Sequence, residues 1–493
     1  MIGSVAEGAR GSRPLDLLFD WLDRLPALLV GAGLVGVALA AYWLPGSDRF
    51  YNHFVWQAQA FLHGTAVIDW PVEGAFGSGT GNTWMQDVYP LREVTGDPST
   101  TGALLPFPPL PAILLLPFVA LWGFATDIRA VSVALGAVDV GLAWWALGRL
   151  AVSRRVRLAT TIFFAFGTVF WYAAQLGTTW FFAHVVAIAF ILGAVGVALG
   201  SDPGADDEVE EGPEPGALAR DLGATLRRGI SLVDRRQLLA GVLFGIACTA
   251  RLTVVFGAPF LMLVGGTSWA RRSISAGIGA AIPLALLLAY NVATTGHLFH
   301  PGYEYQYRLE ANGYQALGYN PDWDIEDARY LPQNLGVFLL STPAILPTNE
   351  REFNTFADTT LCTDRRPGGD ALGGRGLFDR ECPLAAPRQI GMSILLTSPA
   401  FLLAGFAFRR RSRLVAGSFL AVAVIALVNL MHFSQGWVQF GYRFSNDFVV
   451  FALPLVALGM QRRGRVGWLG GGLIAASVVI NLWGVIWGNV LGW

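Results

Sequence analysis

Apolar runs of close to twenty residues recur along almost the whole chain, and that repetition leaves few folds open. Wound as a helix, such a run spans the roughly 30 Å hydrocarbon core of a bilayer. Hydrophobic residues make up 54% of the chain and charged ones 14%, so the polar surface falls short of what soluble domains would need. An outer-membrane barrel is excluded, because its strands alternate in polarity and run about ten residues each. The expected fold class is all-α, polytopic and membrane-embedded.

The arginines order the spans. All 34 basic residues are arginine. Arg10, Arg13 and Arg24 precede the first span at about 26–43, which sets the N-terminus inside, and residues 15–25 read as a short amphipathic helix on the inner surface. The N-terminus has no signal-peptide pattern, so the first apolar segment is expected to stay as an anchor. Segment 106–124, PFPPLPAILLLPFVALWGF, carries five prolines and is taken as re-entrant or juxtamembrane rather than spanning. Further spans are then expected at about 130–148, 158–175, 181–200, 237–250, 252–267, 273–293, 391–408, 414–431, 446–460 and 466–488. With the first, that makes about 11 transmembrane helices. Loops 149–157, 201–236, 268–272, 409–413 and 461–465 each carry an arginine cluster and fall on the inner side, and the C-terminus falls outside. A bacterial-type plasma membrane is the expected location.

The resulting organisation has four parts: a cytoplasmic segment 1–25, a membrane module 26–293, an outer lid loop 294–390 and a four-helix membrane module 391–493. The first module includes an outer loop 44–105 and a cytoplasmic linker 201–236, whose acidic, Gly- and Pro-rich start reads as disordered. Long loops without regular structure are uncommon unless they serve a function. Cys248 lies within a span as core. Cys362 and Cys382 share the lid loop on the oxidising side and are expected to bridge, stabilising it by roughly 3 kcal/mol.

The candidate chemistry clusters at the outer boundary. Asp48, just past the first span in LPGSDRFYNHFVWQAQAFLHG, suits a general base. Asp69 and Asp87 are the alternative acids, with Trp70, Trp84 and Tyr89 nearby to stack on sugar rings. Arg251, in CTARLT, and Arg443, in WVQFGYRFSNDF, sit at one depth and suit a lipid phosphate. The competing reading for Arg443 is a salt bridge to Asp447, one helical turn on. His184 could donate a hydrogen bond to a phosphate or bind a metal, and otherwise reads as a structural hydrogen-bond partner. Asp139, mid-span, reads as packing polarity. Asp322, Asp324, Glu326 and Asp327 carry oxygen ligands for a divalent metal but read as a solvated loop cluster. The chain has no HExxH, P-loop, paired CxxC or Rossmann fingerprint, so no resident cofactor is expected, and nothing points to nucleic acid.

In order and spacing these motifs resemble the GT-C superfamily of membrane glycosyltransferases, including the protein O-mannosyltransferases (glycosyltransferase family 39-like) and the aminoarabinose transferases. The matching stretches are SDRFYNHFVWQAQAFLHG, the Pro-rich PFPPLPAILLLPFVALWG, CTARLTVVFGAP, NVATTGHLFHPGYEY and GWVQFGYRFSNDFVVFALPLVALG. The resemblance implies a GT-C-like fold and an inverting transfer on the outer face from a polyprenyl-phosphate-linked sugar. Asp48 would be the catalytic acid, with phosphate contacts from Arg251 and Arg443. His184, Tyr303 and Tyr305 would be supporting or substrate-facing residues. Two positions depart from the pattern: Arg49 stands where the O-mannosyltransferases carry a second acid, and Phe107 where a His precedes two prolines. The acceptor, whether glycan, lipid or protein, is not specified by these residues. The competing class is a membrane transporter or lipid flippase without transferase chemistry. Such proteins usually show internal repeats and ionisable groups near the midplane.

Overall fold

The structure, a computed structural model, describes residues 23–44, 51–69, 87–202, 204, 220–221, 223–224, 227, 233–363, 374–462 and 465–493. Among these residues five helices are long and apolar enough to cross a bilayer: Ile128–Leu147, Thr179–Ser201, Trp269–Thr295, Arg413–Met431 and Trp468–Leu491. The pair Arg154–Phe166 and Phe170–Leu176, bent by 50° at its break, makes a sixth if taken as one span. The protein is thus a multi-pass helical membrane protein. The expectation of about 11 spanning helices is corrected to five or six.

The reason lies in chain breaks that hydropathy does not register. The stretch at 237–250 forms the helix Arg235–Cys248, 14 residues, about 21 Å long at 1.5 Å per residue. The stretch at 252–267 splits into a 3₁₀ turn, Leu252–Gly257, and a six-residue helix, Ala258–Leu263. The stretch at 391–408 becomes a four-residue turn, Ile394–Thr397, followed by the 3₁₀ helix Pro399–Arg409. Val449–Met460 has only 12 residues and carries Pro454 inside. Ala27–Trp43 has 17 residues, about 26 Å, shorter than the roughly 30 Å core. The Pro-rich segment forms the 13-residue helix Leu110–Trp122 with Pro117 inside it.

Packing follows side-chain size. Thr179–Ser201 and Val449–Met460 are buried nearly throughout and form the centre of the bundle. Trp269–Thr295 and Trp468–Leu491 are buried over about a third of their length or less and expose Ile282, Leu286 and Val479, as a lipid-facing helix would. Arg235–Cys248 lies against Trp269–Thr295 at very short range. A Cβ at Gly241 would come within 2.1 Å of the Ala276 carbonyl oxygen, and one at Gly279 within 2.2 Å of that of Leu238. Small residues spaced four apart let two backbones meet in this way. Helix starts are capped where the sequence supplies a cap: Asp127 accepts from the Ala130 amide, and Ser412 from that of Val415.

Above one end of the bundle lie the loop segments. Strands β1 (Tyr89–Pro90) and β2 (Ala103–Leu104) pair antiparallel, and Ile68 bridges to Ala103 beside them. That short ladder anchors Asp87, two residues ahead of β1. The segment after Trp269–Thr295 opens with the helix Gly302–Gly313 and builds two small clusters, one shared with Phe433 and one with Trp487. Cys362 and Cys382 form a disulfide within it.

Candidate active site

A large cavity of about 1180 Å³ lies between the bundle and the loop segments. Three bundle segments supply its charged floor. Trp180 lies in the first turn of Thr179–Ser201, and His184 sits one turn deeper on the same helix. Arg251 stands in the extended residue ahead of the turn Leu252–Gly257. Arg443 opens the 3₁₀ helix Arg443–Asp447.

Arg251 is clamped. Its Nε donates to Asp447 Oδ1 at 3.1 Å and its Nη2 to Oδ2 at 3.0 Å. This two-pronged arrangement is the strongest an arginine and a carboxylate make. Thr253 Oγ1 donates to the same Oδ2 at 2.8 Å, and Asn429 Nδ2 at 3.2 Å. His184 Nδ1 lies 2.9 Å from Asp447 Oδ1, an ion-pair distance, but forms no well-directed hydrogen bond there. The Asp447 side chain is wholly buried, whereas Arg251 keeps 19% of its side chain exposed towards the cavity.

Arg443 differs. Among the described residues it has no ion-pair partner, and its buried Nε has no hydrogen-bond partner. Its guanidinium carbon sits 5.8 Å from the Phe181 ring centroid and 5.2 Å from that of Phe444. The salt bridge to Asp447 considered from the sequence does not form, because the helix is 3₁₀. With three residues per turn, positions four apart diverge by about 120°. In an α-helix they would be neighbours. Arg443 therefore turns to the cavity and Asp447 to the interior, where Arg251 meets it. Space for Arg443 depends on Gly436, which holds a φ of +91°; a Cβ there would lie 2.7 Å from Arg443 Nε. The adjoining Val438, also on the cavity wall, holds a φ of +55°, a conformation unusual for a β-branched residue and costing about 1–3 kcal/mol.

The remaining walls bring acids and aromatic rings to the same space. Asp87 and Glu310 both line it. Burial raises the Asp87 carboxyl above its ordinary range, while Arg443 and the Trp180 indole N–H, which hydrogen-bonds to it, pull it back. Burial, then the charge of Asp87, raises Glu310, against the pull of Arg443. Glu310 is part-exposed in surface terms because its exposure is to the cavity; protein surrounds it otherwise. Tyr51, Trp180, Tyr303, Tyr314, Tyr319, Phe356 and Trp437 complete the aromatic lining.

The residues singled out in the sequence divide accordingly. Asp48, Arg49, Trp70 and Trp84 lie outside the described residues. Asp87, Arg251, Arg443, Tyr303 and Phe107 line the cavity, and the Phe107 and Tyr303 rings meet edge to face at 6.2 Å. His184 is buried beside Asp447, outside the cavity lining. Asp69 is exposed and is not part of the wall. Tyr305 packs against Tyr89 at 5.4 Å, outside the lining. Glu326 and Asp327 pair with His432 and Arg329. Among the described residues, no group of three or more His, Cys, Asp or Glu is arranged to hold a metal.

Sequence reasoning missed Asp447 as the clamp, and Glu310, Gln306, Trp180 and Trp437 as lining. The available signal was the helical spacing of Tyr303, Gln306 and Glu310 in GYEYQYRLEANG, which places them on one face of Gly302–Gly313.

Fold and site together define a multi-pass membrane protein with one deep, charged and aromatic cavity at the end of its helices. No family model and no curated protein matches the chain. Among solved structures, it is similar to the oligosaccharyltransferase of the archaeon Archaeoglobus fulgidus in its apo form, at 11% identity and a TM-score of 0.43. That match covers 96% of this chain and 56% of the archaeal one. It is likewise similar to the same enzyme, AglB, in complex with an inhibitory peptide and a dolichol-phosphate, with the same identity, coverage and TM-score. The chain thus spans about half the length of the structures it matches.

Proposed function

We propose that the protein is a glycosyltransferase that moves a sugar from a polyprenyl-phosphate carrier to an acceptor, with inversion, on the extracytoplasmic face. The observation that carries this reading is Arg443, without an ion-pair partner among the described residues, beside the clamped Arg251 in one cavity with the carboxyls of Asp87 and Glu310. Two guanidiniums suit a lipid phosphate, and acids in the same cavity suit proton removal from an acceptor.

In the reaction, the acceptor oxygen or nitrogen attacks the anomeric carbon from the side opposite the phosphate. Its proton passes to a carboxylate. The bond from the anomeric carbon to the phosphate oxygen breaks, and the electron pair leaves on the lipid phosphate. Arg251 and Arg443 stabilise the charge that gathers there, a role worth several kcal/mol in a site closed to water. Asp447 and His184 act through Arg251, holding its position. The base is Asp48, three residues ahead of the cavity-lining Tyr51, or Asp87; Asp69, exposed and off the wall, is set aside.

The test is sugar transfer from citronellyl-phosphate-linked, radiolabelled sugars to a membrane extract, using wild type, Asp48→Asn, Asp87→Asn and Arg443→Met. One Asp→Asn variant should lose turnover while still binding the donor, and Arg443→Met should lose binding. Transfer that survives all three substitutions would overturn the proposal.

A further inference from the structure

The helix Gly302–Gly313 turns one face to the cavity, with Tyr303, Gln306 and Glu310 on it at helical spacing. Its neighbouring face, with Tyr307 and Ala311, packs into a small apolar cluster that includes Tyr330 and Phe433 and fixes the helix in place. The cavity face carries unmet hydrogen-bonding capacity. Gln306 is buried, and its Nε2 has no partner among the described residues. The Trp437 indole N–H, on the same cavity, is also buried and without a partner there. Buried polar atoms are rarely left unmatched, so each such group asks what meets it.

A stacking surface adjoins these groups. The rings of Tyr314, Phe356 and Trp437 come from three separate segments and meet within 5.2–5.8 Å of one another, all on the cavity wall. Amide and indole N–H donors, a carboxyl acceptor and an aromatic surface together match a pyranose ring, whose hydroxyls both donate and accept and whose C–H face is apolar. Asp87 and Glu310 line the same cavity, and the charge of Asp87 adds to burial in holding the Glu310 carboxyl up. A third carboxylate brought among them would add to that repulsion.

We infer that the Tyr303–Gln306–Glu310 face, with Trp437, is the sugar-selecting wall of the site, and that it admits a neutral, hydroxyl-rich sugar in preference to a uronic acid. Glu310 and Gln306 are specificity residues that grip the sugar; the lipid phosphate is held elsewhere, by the arginines. The inference rests on the transferase reading above and adds the class of sugar to it.

The experiment measures binding to the full chain in nanodiscs by tryptophan fluorescence. The probes are citronellyl phosphate, its glucose and mannose esters and its glucuronate ester. In the wild type, the better of the two neutral esters should bind about tenfold or more tighter than citronellyl phosphate, and the glucuronate ester no tighter than citronellyl phosphate. Glu310→Gln and Gln306→Leu should each remove most of that gain, and Gln306→Leu should leave citronellyl phosphate affinity unchanged, which also reports an intact fold. The inference is overturned if neither neutral ester gains over citronellyl phosphate, if both variants keep the gain, or if the glucuronate ester binds tightest. If citronellyl phosphate itself does not bind the wild type, the phosphate site is wrong and this inference falls with it. A bound citronellyl phosphate with no sugar-dependent gain refutes the sugar wall alone.

Discussion

Arg251 and Arg443 share a cavity, yet their removal should act on stability in different ways. Arg251→Met would leave the wholly buried Asp447 without its two guanidinium hydrogen bonds, keeping only Thr253, Asn429 and the close His184 around it. Breaking a buried pair from one side costs about 3–5 kcal/mol. Arg443→Met breaks no ion pair among the described residues and removes a guanidinium whose Nε is buried without a partner. What it gives up is contact with the Phe181 and Phe444 rings, worth about 0.5–1 kcal/mol each, and the attraction to Asp87 and Glu310, offset by relief of the buried guanidinium. The net change should stay within about 1 kcal/mol. For lipid phosphate the order reverses, because Arg443 Nε has no partner among the described residues whereas Arg251 is committed to Asp447. Loss of a charge-assisted hydrogen bond, about 1.5–3 kcal/mol, weakens binding roughly ten- to more than a hundredfold. Unfolding in mixed detergent and SDS, alongside titration with citronellyl phosphate, reads both quantities on the same samples. The reasoning is refuted if Arg443→Met destabilises the fold as much as Arg251→Met, or if it leaves citronellyl phosphate affinity intact.

Four further outcomes follow from the structure. A base with the raised Asp87 value must lose its proton before it acts, so transfer should rise with pH along a limb above the ordinary carboxylate range; Arg443→Met, which removes a charge that lowers Asp87, should move that limb to higher pH. For stability the sign is the reverse. A carboxyl raised in the fold contributes stability below its unfolded value and loses it as pH rises through the folded one, so Glu310→Gln should withstand alkaline unfolding better than the parent. Replacing Cys362 and Cys382 by serine opens a loop with a sequence separation of 20 and should cost about 3 kcal/mol, seen as faster proteolysis between residues 344 and 391. Gly436→Ala places a Cβ against Arg443 Nε in a left-handed turn and should weaken citronellyl phosphate binding more than it lowers thermal stability.

Hydropathy made the membrane character of the chain plain, because apolar run length maps directly onto bilayer thickness. It failed on the number of spans, because Gly167, Pro399, Pro454 and the turn at Leu252–Gly257 end or bend helices inside windows that remain apolar on average. Positions at the outer boundary led from sequence alone to Arg251 and Arg443, since an arginine beside an apolar run is conspicuous. Their different partners were not legible, because Asp447 appears one α-helical turn from Arg443 until the 3₁₀ geometry is known. Glu310 was missed for a related reason. In a polar, tyrosine-rich stretch it looks like solvated surface, and only the placement of Gly302–Gly313 over the cavity distinguishes it from Glu304, which pairs with Arg308 in the same helix.

The central claim is that this cavity holds a polyprenyl phosphate through Arg443 and Arg251, and native mass spectrometry of the purified protein tests it most directly. The account predicts a co-purifying polyprenyl phosphate in the wild type that is lost in Arg443→Met while phospholipid adducts stay. Phospholipid adducts without any polyprenyl phosphate in the wild type, or carrier retained equally in Arg443→Met, would contradict it.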